Sequence, residues 1–351
     1  MNKLSEQSSW DEDALRIEIA ELLPILISNE IAPEAIGMSM TVIDLIMAST
    51  AEPEEGEDDD AGATDVAAVS RLGDLWNLGE HRLICGDCLK GETLERLMGG
   101  EKARMMFTDP PYNLEVDGVI SGLGKVKHRE FAMASGEMSD EEFLAFLTRY
   151  IVNAVPHMVN GAIGYHFMDG KHIHQLILAG IAAGLSYKQI LVWRKGNAGM
   201  GSFYRSQHEL IAVFKLGKAP HVNNCGLGDT GRYRTNVFDY AGANTFRKGR
   251  DEDLAAHPTV KPTALVADAI RDVSRPGEIV LDPFCGSGTT ILAADLTQRR
   301  ARGVEIDPIY VDVAIARWQK RTGKTAILAS DGRSFEEIAA DRLAMSEVAN
   351  G

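Results

Sequence analysis

The sequence predicts an α/β fold: a doubly wound, mostly parallel sheet with an antiparallel hairpin at one edge. Three observations carry this. From about residue 81 onward short apolar runs alternate with stretches of helical periodicity, the pattern of strands joined by crossover helices and covered on both faces. A glycine-bearing turn, residues 282–290, directly follows the apolar run 278–281 and opens a helical stretch. Finally, the runs at 187–195 and 208–216 succeed each other with no helical stretch between them, which predicts the antiparallel edge hairpin.

Taken in order, residues 1–50 contain two short amphipathic pieces, ALRIEIAELLPILI and MTVIDLIMA. They are too small to form a core alone and are expected to dock on the main domain or on another chain. Residues 51–62 (AEPEEGEDDDAG) are acidic, bear Pro and Gly and lack apolar periodicity, so 51–70 reads as a flexible linker. The strand-like runs are HRLICGD (81–87), RMMFTDPPY (104–112), GAIGYHFMD (161–169), YKQILVWRK (187–195), HELIAVFKL (208–216), GEIVLDPF (277–284) and RGVEID (302–307). Helix-like stretches cover 141–157, 171–184, 261–273, 287–297 and 308–321, and Ser139 with Glu142 makes a capping box before the first of them. Residues 217–256 break the alternation, being loop-like, basic and dotted with aromatics, and 336–351 reads as a C-terminal tail. There is no internal repeat of solenoid-like period.

Composition is that of an ordinary globular protein, 45% hydrophobic and 25% charged. No apolar run approaches the ~18 residues that span a bilayer, and the N-terminus lacks a basic-then-apolar signal pattern. Four scattered cysteines do not make a disulfide framework, so a reducing cytoplasm is expected. Residues 1–65 carry 17 Asp/Glu against Lys3 and Arg16, so they hold the entire net charge of −15 and the rest sums to zero. Within that rest, 188–250 carry 11 Lys/Arg against Glu209, Asp229 and Asp239. A basic segment in a neutral body suits a nucleic-acid surface, although a solvated charged face has the same composition.

Two constellations carry chemistry. The first is Asp282-Pro283-Phe284-Cys285-Gly286-Ser287-Gly288-Thr289-Thr290. Its glycines permit a tight strand-to-helix turn and close approach of a ligand to bare backbone. Glu305 ends the next strand 23 positions after Asp282, and in doubly wound folds a carboxylate about 20 residues on holds ribose hydroxyls. No lysine follows the glycines, which argues against a phosphate-binding P-loop. Ile291 stands where the dinucleotide fingerprint needs its third glycine, which disfavours nicotinamide or flavin and hence a dehydrogenase. A glycine turn can be purely structural; strand, turn and following acid together favour an adenosine-containing ligand.

The second is Asp109-Pro110-Pro111-Tyr112, at the end of the run RMMFT. An exocyclic amine on an aromatic ring is a poor nucleophile because its lone pair is delocalised. A carboxylate and a carbonyl accepting its two N–H bonds would favour a pyramidal nitrogen and free that pair, and Asp109 with the Pro110 carbonyl supplies both acceptors. Consecutive prolines fix the backbone and remove competing donors. Tyr112 offers a flat face to an extruded base, worth ~1–3 kcal/mol of stacking. Alone, the tetrapeptide would equally suit a strand terminator beside a core tyrosine.

In this order TDPPYN and LDPFCGSGTT resemble the amino-methyltransferase family of DNA modification enzymes, and the order is similar to its β-class, a circular permutation of the common arrangement. His257-Pro258-Thr259-Val260-Lys261-Pro262 resembles the segment that helps hold the cofactor's methionine moiety. Gly86-Asp87 resembles the motif whose acid lies near the adenine, and VWRKG and HELIAVF resemble the edge strands of the target pocket. The resemblance covers about residues 71 to 335 and implies a Rossmann-like, circularly permuted methyltransferase domain. It implies S-adenosyl-L-methionine as cofactor, its ribose on Glu305, its edge along Phe284 to Thr289 with Asp282, Gly286 and Gly288, and Asp87 and Lys261 in support. Asp109, Pro110, Pro111 and Tyr112 become the catalytic residues, acting on a base flipped out of double-stranded DNA.

The DPPY form points to adenine N6, with cytosine N4 as the alternative and a catalytically inactive DNA-binding subunit as the alternative of another class. RNA or protein substrates share the amine chemistry. Arg232, Arg234, Arg247, Lys248 and Arg250, mixed with Tyr233, Phe238, Tyr240 and Phe246, are expected to grip DNA, and 117–124 with Lys125, Lys127 and Arg129 is expected to be a flap. A homodimer is expected by analogy, and a companion endonuclease stays open. DLWNLGEHRLICGDCL and MSMTVIDLIMA also resemble a subgroup in which a ParB-like nuclease-type domain precedes the methyltransferase. The chain starts where such a domain would end, so residues 1–50 are expected to be a remnant without that activity. Cys85 and Cys88 lack a second CxxC or HxxxH partner, and no metal is expected.

Overall fold

A computed structural model describes residues 12–29, 31–48, 67–113, 136–196, 198, 204–225, 234–241 and 261–350. The chain opens with α1 (Glu12–Ser28), a 3-10 turn (Pro33–Ile36) and α2 (Met40–Ala48). Next come β1 (Leu75–Leu78), β2 (His81–Cys85), α3 (Gly91–Met98), β3 (Ala103–Thr108), α4 (Asp140–Ala154), β4 (Met158–Met168) and α5 (Ile173–Ala182). β5 (Leu185–Arg194), β6 (His208–Leu216) and β7 (Val237–Asp239) follow, and then α6 (Thr263–Val273), β8 (Ile279–Asp282), α7 (Thr289–Leu296) and β9 (Arg300–Glu305). The described chain ends with α8 (Pro308–Thr322), β10 (Ile327–Leu328) and α9 (Phe335–Asn350).

The strands form one open sheet in the order β10-β1-β2-β9-β8-β3-β4-β6-β5-β7. The run from β2 to β4 is parallel throughout, whereas β6 runs antiparallel to β4 and to β5. This is the doubly wound arrangement with its hairpin, except that β7 pairs outside β5 at one edge and antiparallel β1 and β10 extend the sheet at the other. Alternation along β3 divides the core. Met105 and Phe107 pack with Val266, Ile291 and Ile315 of α6, α7 and α8, whereas Met106 packs on the other face with Leu97 of α3 and Phe143 and Leu147 of α4. The capping box forms: Ser139 Oγ accepts from the Glu142 amide at 3.3 Å, and Glu142 Oε2 accepts from the Ser139 amide at 2.9 Å.

Two segments depart from the sequence expectation. The expected tail is helix α9, which buries Ile338 and pairs Arg342 with Asp74. Its apolar contact is the stripe Phe335, Ile338, Ala339 and Leu343, with the Phe335 ring edge-on to Trp76 at 5.3 Å, a helical spacing that the sequence reading left as tail. The N-terminal pieces, for which either another chain or the main domain was a possible dock, pack on this chain's own body. Asp44 of α2 pairs with the fully buried Arg299 at 2.7 Å, Thr41 Oγ1 donates to the Asn224 carbonyl at 3.1 Å, and Glu34 accepts from Arg275 at 2.9 Å.

Candidate active site

Because β2, β9, β8, β3 and β4 are parallel, their carboxyl ends share one edge of the sheet. Asp87, Glu305, Asp282 and Asp109 each end or just follow one of these strands, so four scattered acids converge there, in the crevice where open α/β sheets bind ligands. The amino end of antiparallel β6 reaches the same edge, which brings Glu209 to it: Leu210 pairs with Met168, and Glu209 with Trp193.

On one side of the crevice lies the turn after β8. Asp282 closes it as a buckle, Oδ1 accepting from the Phe284 amide at 3.1 Å and Oδ2 from Thr290 Oγ1 at 2.6 Å. Gly286 has φ +52° with nothing within 4 Å of where a Cβ would stand, and its amide donates to Glu305 Oε2 at 2.9 Å. Gly288 has φ +85°, and a Cβ there would meet the Ala314 Cβ at 2.7 Å, so α8 packs directly on bare backbone. Arg317 secures the turn from α8, donating to the Ser287 carbonyl at 2.8 Å and to Thr289 Oγ1 at 3.3 Å. Thr289 therefore faces the helix. The Phe284 ring meets Tyr150 edge-on at 5.1 Å and Phe146 at 5.9 Å. Asp87 Oδ1 accepts from the Leu89 amide at 2.9 Å.

Burial lifts the Asp282 and Glu305 carboxyls to about 7 each, against the opposing pull of their hydrogen bonds. The half-buried Glu305 carboxylate beside a glycine turn that opens onto free space at Gly286 leaves room for a ligand with hydroxyl groups, as the sequence reading expects of an adenosine. The donor set fits that group.

On the other side lies the turn after β3. Asn113, at φ +55°, holds it in place: its side chain donates to the Met138 carbonyl at 2.8 Å and accepts from the Met138 amide at 3.2 Å. Asp109 Oδ1 accepts from the Tyr112 hydroxyl at 2.6 Å, and Oδ2 pairs with Lys261 Nζ at 2.6 Å. Lys261 Nζ also lies 2.8 Å from Glu209 Oε2 and over the Phe167 ring at 4.9 Å. Its ion pairs thus set Lys261 between Asp109 and Glu209. Glu209 Oε1 pairs with Lys195 at 2.5 Å. Burial raises the Asp109 carboxyl above its ordinary value, partly offset by Lys261. For Glu209 burial pulls up, yet Lys261 and Lys195 outweigh it and hold the acid down at about 2.

Of the basic residues expected to face DNA, Arg232, Arg247, Lys248 and Arg250 lie outside the described residues, as do Tyr233, Phe246, the flap at 117–124 with Lys125, Lys127 and Arg129, and 257–260. Arg234 is described and is committed elsewhere. It donates to Asp268 at 2.9 Å, Asp272 at 3.1 Å and the Tyr240 hydroxyl at 3.2 Å, with its guanidinium over the Phe238 ring at 4.7 Å. These partners raise its pKa against the effect of burial. Arg234 is a strut between the β7 segment and α6. Glu209 and Arg317 were not anticipated. Cys85 is buried, which pushes its thiol up to about 12, and among the described residues no three His, Cys, Asp or Glu side chains gather as a metal site. Nor is any described helix long and apolar enough to cross a membrane.

A DNA methylase family model for N6/N4 methyltransferases matches residues 103–316. The type II methyltransferase M.HpaI of Haemophilus parainfluenzae is 26% identical over 250 residues, covering 68% of this chain and 74% of that protein. Among solved structures, the M1.HpyAVI–SAM complex superposes with a TM-score of 0.50 at 22% identity, covering 67% of this chain and 97% of that one. The cytosine-N4-specific PvuII DNA methyltransferase superposes with a TM-score of 0.52 at 15% identity, covering 79% and 94%. Both structural likenesses bear on the fold.

Proposed function

Since the chain belongs to the DNA methylase family of N6/N4 methyltransferases, we propose that it transfers a methyl group from S-adenosylmethionine to adenine N6 of a base flipped out of duplex DNA. The observation that carries this reading is the Asp109 carboxylate at the end of β3, on the same sheet edge as the cradle formed by Gly286 and Glu305. Two functions are thereby adjacent: a place for an adenosine and an acceptor for an amine.

Glu305 would hold the ribose hydroxyls, the Phe284–Gly288 turn would lie along the cofactor's edge, and Asp87 would lie near its adenine. Bound there, S-adenosylmethionine supplies a methyl group on a sulfonium centre. The chain's own residues prepare the nucleophile. Asp109 and the Pro110 carbonyl accept the N–H bonds of the amine, favour a pyramidal nitrogen and direct its lone pair. Pro110 and Pro111 keep those acceptors fixed, so little reorganisation accompanies transfer. Tyr112 stacks on the base and thereby offsets part of the cost of unstacking it. Catalysis is mainly positioning and electrostatics.

The test is transfer of labelled methyl from S-adenosylmethionine to mixed-sequence duplex DNA, followed by nucleoside mass analysis. N6-methyladenine is expected. Methylcytosine would keep the mechanism and change the base, and no transfer to either would remove the reading. In the same assay Asp109→Asn should lower kcat at least about 100-fold, the usual loss of a fixed electrostatic group, with cofactor affinity nearly unchanged.

A further inference from the structure

Both oxygens of Asp109 are taken by the chain's own donors, Tyr112 on one and Lys261 on the other. A target amine has to enter where those two donors now stand. Each incumbent already has a second acceptor in Glu209, whose Oε2 lies 3.2 Å from the Tyr112 hydroxyl and 2.8 Å from Lys261 Nζ. A hydroxyl donates a single proton and an ammonium three, so Tyr112 must choose between the two acids while Lys261 bridges them. Glu209 is itself fixed: Lys195 holds its other oxygen at 2.5 Å, and it is 12% exposed at the start of β6.

We propose that Glu209 is a positioning residue for methyl transfer: it receives Lys261 and the Tyr112 hydroxyl as the target amine takes their place on Asp109. The exchange breaks no covalent bond and moves no proton between residues, since both donors keep their protons and change acceptors. It solves a specific problem. A buried ammonium left without an anion is costly, so with Asp109 as its sole acid Lys261 would compete with the amine for it. With Glu209 present the ammonium stays paired on the Phe167 and Trp193 side of the pocket, where its nitrogen lies 4.9 and 5.7 Å from the ring centroids.

The inference rests on Asp109 being the acceptor of the amine. Its test uses Glu209→Gln, which keeps the shape and removes the charge, alone and combined with Lys261→Met. Glu209→Gln should lower kcat about 100-fold while the KM for DNA and the cofactor Kd, measured by calorimetry, stay within about threefold. Adding Lys261→Met removes the competitor, so the double variant should be about tenfold faster than Glu209→Gln, a coupling of opposite sign to accumulating damage. Glu209→Asp, which keeps the acid, should recover most of the rate. A double variant no faster than Glu209→Gln, or a Glu209→Gln chain within about threefold of wild type, overturns the inference while leaving the methyltransferase reading intact. A wild-type chain that transfers methyl to neither amino base overturns both.

Discussion

The two acids of the cradle titrate where the protein is expected to work. Burial lifts Glu305 to about 7 against the bonds from the Asp307 and Gly286 amides. An ionised carboxylate is the better acceptor for ribose hydroxyls, so cofactor affinity should rise with pH as Glu305 loses its proton, by up to about tenfold between roughly pH 6 and 8. The sign for stability is opposite. The folded state keeps a proton that the unfolded chain has released above the ordinary carboxyl value of 4.5, so this group's contribution to stability declines from there to about 7 and is lost above it. Calorimetric titrations of S-adenosylmethionine into Glu305→Gln should show a weaker pH dependence, the remainder belonging to Asp282, also at about 7. A wild-type affinity independent of pH would take Glu305 away from the ribose. Asp282 and Asp109 could be picked out in the sequence because each sits in a short motif whose residues act as neighbours, and Glu305 because it ends the next strand at the spacing of a ribose-binding acid. Glu209 and Arg317 have no such context. They matter through partners far along the chain, Lys261 and Ser287, and the one available signal for Glu209 was an acid opening a strand that runs antiparallel to its neighbour.

Helix α3 (Gly91–Met98) and strand β1 (Leu75–Leu78) were missed, but most strands and crossover helices of the central sheet were readable from periodicity because each is buried on a defined face. The short pieces were not: β10 has two residues and β7 three, and such lengths carry no period. The basic segment around β7 illustrates the difference between composition and placement. Its positive charge suggested a DNA face, yet Arg234 is bound to Asp268 and Asp272, the latter side chain 2% exposed. Arg234→Ala should therefore destabilise the fold by on the order of 2 kcal/mol, through loss of its pairs with Asp268 and Asp272 and of its packing on Phe238. Urea denaturation measures this. The salt dependence of DNA binding should stay close to that of wild type, because Arg234 then contributes no phosphate contact. A reduced salt slope at unchanged stability would return Arg234 to the DNA surface.

The N-terminal helices belong to the same body as the catalytic sheet. Asp44 and Arg299 form a pair in which the arginine side chain is wholly buried, and Arg299 also donates to the Ser274 and Thr297 carbonyls. Removing the acid alone strands the guanidinium. Asp44→Ala should cost about 3–5 kcal/mol in urea unfolding followed by circular dichroism. A loss below about 1 kcal/mol, the size of a surface pair, would mean that the two helices detach without consequence. The sequence announced two apolar helices but not their dock, since an aspartate in a short helix gives no sign of a partner beyond the catalytic motifs. That separation has a consequence during synthesis. Arg299 follows Asp44 by 255 residues, and at about 5–20 residues per second the ribosome needs on the order of tens of seconds to deliver it. Until then Ile19, Leu23, Met40 and Ile43 have chiefly one another for cover, so α1 and α2 of the nascent chain wait for their dock while open to chaperones and proteases.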